Sequence, residues 1–262
     1  MKHSNITIIN DCKDGNAVGR QFVRASALMG GHVSFVGVAS DLEAAGNLID
    51  VLDAYGEESG VVLVNVAPRG GKAKRFTNGT PFCYFRYKQV LVASSFDGLT
   101  LSLVKKLGLT DSVYLLDIPT VTAQWVKEGT CTQELATHIC ETQFRSYEFL
   151  PRVAAYILEH GTAPAEQVSI NEVQDAPQAV WWVDNFGNCK TVLLADEVPH
   201  TKVVETAIGA LPYYDHLREV SDGESALIAG SSGIGKKRFL EIVVQGGDAA
   251  RTCGLQSGST VR

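Results

Sequence analysis

Asp184, Phe186 and Asn188 bring three chemistries together within the five residues DNFGN. A carboxylate accepts from ammonium or hydroxyl groups, an aromatic ring stacks, and an amide both donates and accepts. Together they suit a nucleoside. The same residues also fit a plain β-hairpin loop whose Phe186 fills a core. The surrounding stretch, VWWVDNFGNCKT at 180–191, frames the loop either way. Its tryptophans and valines are β-prone, and 184–188 is dense in turn formers.

Further polar groups recur where predicted strands end. Asp11 and Asp14 follow the first strand, Ala67-Pro68-Arg69-Gly70-Gly71 the third, and Ser94-Ser95-Phe96-Asp97-Gly98 a later one. Ligands of open α/β sheets bind beyond the carboxyl ends of strands. Turn capping is the plain alternative for each residue taken singly. The loop GGKAKR, at 70–75, is basic in an acidic chain and reads as a solvated charge run or as an anion site using the Arg75 fork. The segment GSSGIGKK, at 230–237, nearly spells a phosphate-binding loop. Lys237 stands where a hydroxyl should be, and RFLEIVV after it alternates like a strand. No helix is therefore expected to supply the backbone donors and dipole that a phosphate loop needs.

The elements that must position these groups alternate. Strands are predicted at 6–9, 33–38 and 60–66, with a helix at 17–29 and another after Ser40-Asp41-Leu42-Glu43, which has capping-box form. That second helix puts Leu42, Ala45, Ile49, Leu52 and Tyr55 on one face. Strands at 89–93 and 113–116 and helices at 101–107, 133–142 and 149–159 complete the pattern. It predicts an α/β layered N-terminal domain, 1–165, with a largely parallel sheet. After a linker at 161–165, short runs at 180–183, 189–194, 226–229 and 239–244 predict a smaller C-terminal β domain, 166–262. Trp181 and Trp182 should face opposite sides of their strand.

A formal charge of −6 over 262 residues argues against nucleic-acid or acidic-membrane binding. No apolar run reaches membrane-spanning length. The six cysteines are scattered without a CxxC pair and read as reduced thiols of a cytoplasmic protein. The six histidines show no ligand spacing, so no metal site is expected.

Together the motifs resemble the S-adenosylmethionine (SAM) hydroxide adenosyltransferases, relatives of the fluorinases and chlorinases. IINDCKDGNAVG is similar to the family's TDFG opening, and DLEAAGNLI to the acidic helix start after it. VVLVNVAPRGGKAKR stands where the family has a strand and DPGVGT, and SSFDGL resembles PDNGL. DNFGN is close to DRFGN, and ALIAGSSG with FLEIVVQGGDAA resembles ALINSSGYLEIAVNGGSAA.

The resemblance implies an α/β domain followed by a β-barrel-like domain, and a homotrimer. It places the nucleoside between one subunit's first domain and a neighbour's second. It implies SAM as substrate or ligand, with no separate cofactor. Asp11 would hold ribose hydroxyls, Asp14 would lie near the methionine end, and Asp97 would join the substrate contacts through SSFDGL. Asp184 would meet the amino-acid portion, Phe186 and Asn188 the adenine, and Ser231 and Ser232 the carboxylate.

The departures concern the reaction itself. The family activates water with an Asp–Arg–His set. Here the Asp position is Ala67, the Arg is kept as Arg75, and the His position is Arg145. An arginine cannot be a general base near neutral pH. Base assistance is worth roughly a hundredfold to ten-thousandfold. Two expectations follow: SAM hydrolysis driven by positioning and dehydration, with Arg75 and Arg145 as the catalytic pair, or an inactive or repurposed adenosine or nucleotide binder. Asp97 and Glu148 are the carboxylates open to replace the missing one.

Overall fold

Strands that are apolar on both faces need a cover on each side, and the first half of the chain supplies it. In this computed structural model, residues 5–67, 80–198 and 203–262 are described. The strands of this half are β1 (Asn5–Asn10), β2 (Val33–Gly37), β3 (Gly60–Asn65), β4 (Phe82–Tyr87), β5 (Val90–Ser95), β6 (Ser112–Leu116) and β7 (Glu166–Ser169). Its helices are α1 (Gly15–Met29), α2 (Asp41–Tyr55), α3 (Ser102–Leu107), α4 (Ile118–Lys127), α5 (Gln133–Glu141), α6 (Arg145–Glu148) and α7 (Leu150–His160).

The sheet order is β2-β1-β3-β5-β4-β6-β7. Strands β2, β1, β3 and β5 are parallel neighbours, β4 is antiparallel to both β5 and β6, and β7 is antiparallel to β6. Ile6, Ile8, Val61 and Leu63 share one core with Ala25 and Met29 of α1 and with Val153 and Ile157 of α7. The alternate residues Ile9, Val62 and Val64 are equally buried and point the other way. There α2 lies in contact with β1 and β3.

Local chemistry sets the element ends. Ser40 Oγ accepts the Glu43 N–H at 3.1 Å, while the Glu43 carboxylate accepts from the Ala39 N–H at 2.6 Å, one residue ahead of the usual capping-box donor. Gly60 leaves room for the Tyr55 ring, which a Cβ there would meet at 2.2 Å.

The second unit carries β8 (Val180–Val183), β9 (Cys189–Leu194), β10 (Val203–Thr206), β11 (Gly209–Tyr214), β12 (Ser225–Ile234), β13 (Lys237–Val244) and the short helix α8 (Ala249–Cys253). Its sheet order is β10-β11-β12-β13-β9-β8, and among the described residues no pairing joins β10 to β8, so the sheet is open. Trp181 is buried to 1% exposure and Trp182 is half-buried, as opposite strand faces require. The near-P-loop 230–237 is the end of β12 and its turn into β13, with no helix after it.

The division between units falls after Gln174, later than the predicted 165/166 boundary. The reason is β7, which pairs with β6 from Ser112↔Ser169 to Leu115↔Glu166 and so belongs to the first sheet. The predicted linker is anchored as well. Gly161 caps α7, Ala163 is buried, and the Thr162 and Tyr84 hydroxyls lie 2.8 Å apart.

Burial also sets thiol chemistry. Cys83 and Cys189 are fully buried, and desolvation pushes both thiols above their ordinary 9.0, Cys189 to about 12. The unfolded chain therefore releases protons above pH 9 that the folded chain retains. Stability is whole below that pH and falls above it, by about 1.4 kcal/mol per thiol per pH unit. We expect Ellman's reagent at pH 8 to label exposed Cys12 first, and Cys83 and Cys189 only on unfolding. Peptide mass spectrometry checks the order, and urea midpoints at pH 8 and 10 check the sign.

Candidate functional site

The parallel register sets three loops side by side at the carboxyl edge of the first sheet. Asn10 pairs with Asn65, and Val64 with Ser94, so Asp11, Ala67 and Asp97 all follow neighbouring strand ends. Buried Asn10 ties the first loop down. Its amide donates to Gln21 Oε1 at 2.7 Å, and its Oδ1 accepts the Cys12 N–H at 2.9 Å. The Asp11 N–H reaches the Asn65 carbonyl at 3.4 Å. Asp14 has a local task as the N-cap of α1, with Oδ1 accepting from the Asn16 and Ala17 N–H groups at 3.0 and 3.1 Å. Asp97 is 9% exposed, in the turn after β5.

Ala67, just past the end of β3, is exposed. Arg145 donates from Nη1 to the Thr80 carbonyl at 2.7 Å and lies 5.4 Å from the Phe82 ring centre. Burial pushes its pKa below the ordinary arginine value. These contacts hold the Arg145 guanidinium against the residues that lead into β4. Glu148 is committed to Arg24 at 2.7 Å, so this carboxylate is already in use. Arg75 lies outside the described residues.

The second unit builds a cleft from the DNFGN turn and from β12 and β13. The Asp184 carboxylate is the clamp of the turn. Oδ1 accepts the Phe186 and Asn188 N–H groups at 2.8 and 2.9 Å, and Oδ2 accepts the Asn188 side-chain amide at 3.0 Å. Gly187 completes the turn at φ +84°, where a Cβ would lie 2.2 Å from Asp248 Oδ1. Its carbonyl accepts the Ala250 N–H at 2.9 Å, tying the turn to α8. The result holds the Phe186 ring outward at 70% exposure, where it fills no core.

Opposite stands an irregularity in the β12–β13 ladder between Ala229 and Gly233, which takes Gly230, Ser231 and Ser232 out of regular pairing. Charged side chains take up backbone groups that this frees. Glu241 Oε1 accepts the Ser231 N–H at 3.2 Å, and Arg238 donates to the Ser231 and Gly233 carbonyls at 3.0 and 2.9 Å. A Cβ on Gly230 would lie 2.5 Å from Glu241 Oε1, so a larger residue there would displace that carboxylate. Buried Ser232 accepts from Lys190 Nζ at 2.7 Å, and that ammonium sits 5.5 Å from the Trp181 ring centre.

Asp184, Phe186, Asn188, Ser231 and Glu241 line one cleft of about 670 Å³, with Gly246 and Gly247 also on its wall. That is ample for a nucleoside. The structure thus gathers four of the sequence-predicted residues here. Ser232, the fifth, turns to Lys190 and is not on the cleft wall. Sequence reading missed Glu241, Arg238 and Lys190. One signal was present: Glu241 is a carboxylate inside the otherwise apolar run FLEIVV. No group of three or more His, Cys, Asp or Glu side chains among the described residues could hold a metal ion. No helix among them is long and apolar enough to cross a membrane.

Comparison with known proteins bears on both units. The sequence model of the SAM hydroxide adenosyltransferase C-terminal domain matches residues 178–262, the segment that carries the cleft. No curated protein matches the chain. Among solved structures, an uncharacterised conserved protein from Thermotoga maritima superposes with a TM-score of 0.63 at 16% identity, covering 97% of each chain. A conserved hypothetical protein from Thermus thermophilus superposes with a TM-score of 0.59 at 23% identity, covering 99% of each. At these identities the likeness is one of fold.

Proposed function

We propose a function on the premise that residues 178–262 match the C-terminal domain of the SAM hydroxide adenosyltransferases: the cleft binds the adenosine part of SAM, and water displaces methionine at the ribose 5′ carbon. The water oxygen forms the new bond to carbon as the carbon–sulfur bond breaks. The electron pair leaves with sulfur, a proton is released, and adenosine and methionine result. The observation that carries the reading is the outward Phe186 ring, clamped by Asp184 and flanked by the Asn188 amide on one nucleoside-sized cleft. Asp11, Asp14 and Asp97 are assigned to the remaining substrate contacts, Ser231 and Ser232 to the carboxylate end, and Arg75 and Arg145 to the reacting centre. We assign a homotrimer as the working state, which light scattering distinguishes from the 28.2 kDa monomer.

A second reading draws support from the exposed methyl of Ala67 and from the anchoring of Arg145 by Thr80 and Phe82. Neither can take a proton from water, and guanidiniums near a sulfonium disfavour it. On this reading the protein binds an anionic adenosine nucleotide without turnover.

Chromatography of SAM incubations separates the two. Adenosine above the buffer blank, lost in Arg75→Ala, supports the enzyme. No turnover, with AMP bound more tightly than SAM in calorimetry, supports the binder. Phe186→Ala should weaken either ligand by about tenfold to a hundredfold, since base stacking on an aromatic ring is worth roughly 1–3 kcal/mol. Its melting temperature should stay near wild type, because the ring is 70% exposed. Unchanged affinity in Phe186→Ala would remove the cleft from both readings.

A further inference from the structure

Two apolar side chains from separate elements stand open on the C-terminal cleft. Among the described residues of the second unit, the exposed large hydrophobics are Phe186, Val203 and Leu217. Val203 begins the edge strand β10, whereas Phe186 and Leu217 both line the cleft. A lone leucine on a surface calls for no explanation. One that shares a nucleoside-sized cleft with an exposed aromatic ring does, because a flat ligand entering there takes both out of water at once.

Leu217 is also held in place. It opens the short 3₁₀ turn Leu217–Glu219 between β11 and β12, and its carbonyl accepts the Val220 N–H at 3.1 Å. Val220 is buried in a small core with Ala226, Ile228 and Val243. Just after it, the Glu224 carboxylate accepts from the Ser221 N–H at 3.1 Å and from the Tyr214 hydroxyl at 3.2 Å. The same loop is tied to Gln245, another residue of the cleft wall. The Gln245 N–H donates to the Glu224 carbonyl at 3.1 Å, and the Gln245 carbonyl accepts the Gly223 N–H at 2.8 Å. Leu217 thus sits at 40% exposure on a turn whose backbone is already fixed, so a ligand meets its surface with little ordering to do. The turn that carries Phe186 is fixed separately, by Asp184 and by α8.

We propose that Leu217 is the second jaw of a clamp on the adenine base, covering one face of the ring while Phe186 stacks on the other. The inference rests on the nucleoside reading of the cleft and extends it to how the base is held. Such a clamp acts on the part that adenosine, AMP and S-adenosylhomocysteine have in common, so it contributes equally to all three.

Calorimetric titration of these three ligands into the wild type, Leu217→Ala, Leu217→Met and Phe186→Ala tests the clamp. S-adenosylhomocysteine is used in place of SAM because its neutral sulfur is a poor leaving group. Leu217→Ala should lose about fivefold to tenfold in affinity for each ligand, the loss expected when part of a buried apolar contact is removed. Leu217→Met conserves volume and should stay within about twofold of wild type. The melting temperature of unliganded Leu217→Ala should stay near wild type, because the residue is 40% exposed. A loss confined to S-adenosylhomocysteine would place Leu217 at the amino-acid end and overturn the clamp. Wild-type affinity in Leu217→Ala, where Phe186→Ala has lost binding, would overturn it too and leave the nucleoside reading standing. No binding of any of the three by the wild type would overturn that reading and the clamp with it.

Discussion

Replacing Asp184 by alanine is expected to lower the affinity of the C-terminal cleft for SAM or AMP by about a hundredfold. It should also destabilise the C-terminal unit by about 2–3 kcal/mol. One carboxylate there accepts from two backbone N–H groups and one side-chain amide. Hydrogen bonds to a charged acceptor are worth roughly 1.5–3 kcal/mol, and donors left without a partner add their desolvation cost. The affinity loss exceeds that of Phe186→Ala because Asp184 positions two contacts at once, the Phe186 ring and the Asn188 amide. Without the clamp, an aromatic ring at 70% exposure is no longer held outward. Asp184→Asn keeps one acceptor oxygen and should fall between the two. Calorimetric titration and urea denaturation measure the pair of effects. Wild-type affinity in Asp184→Ala would mean that the turn does not organise the site.

Glu148→Ala should cost the first unit about 1.5–3 kcal/mol, the loss of a charged hydrogen bond to half-buried Arg24 together with the Arg152 contact. Glu148 is 8% exposed and bonds Arg24 at 2.7 Å, with Arg152 at 3.6 Å and His138 at 3.9 Å. Arg24 also lies 4.4 Å over the Tyr147 ring and donates to the Tyr147 hydroxyl at 3.0 Å, so it cannot turn to solvent without losing both contacts. Glu148→Gln keeps the shape and an acceptor and should cost clearly less. Chemical denaturation of the three proteins decides. Near-equal stabilities would show that the arginines relax into water.

Much of the candidate site was readable because its geometry is local. An Asx clamp, a glycine at positive φ and an aromatic tip within five residues of one turn depend on neighbouring side chains and little else. The same locality explains the Ser40–Glu43 cap and the strands β1, β3 and β5, whose continuous apolar runs announce burial on both faces. Strand β4 carries Arg86 and Tyr87 at its end and sits between antiparallel partners, so its short pattern gave no equivalent signal. Strand β7, EQVS, has one buried residue and exists as a strand through its pairing with β6. That pairing also moves the unit boundary past Ser169.

Residue type and near neighbours were enough to establish the α/β order of the first half, the turn at Asp184–Asn188 and the absence of a helix after 230–237. Three-dimensional packing was needed to bring Glu241, Arg238 and Lys190 onto the Gly230–Ser232 irregularity. It was needed equally to bond Arg145 to Thr80 and to set Leu217 and Phe186 on one cleft. Each of these depends on which strand or helix lies beside which. That choice is fixed by the burial of the whole apolar surface, to which a single side chain read along the chain gives no address.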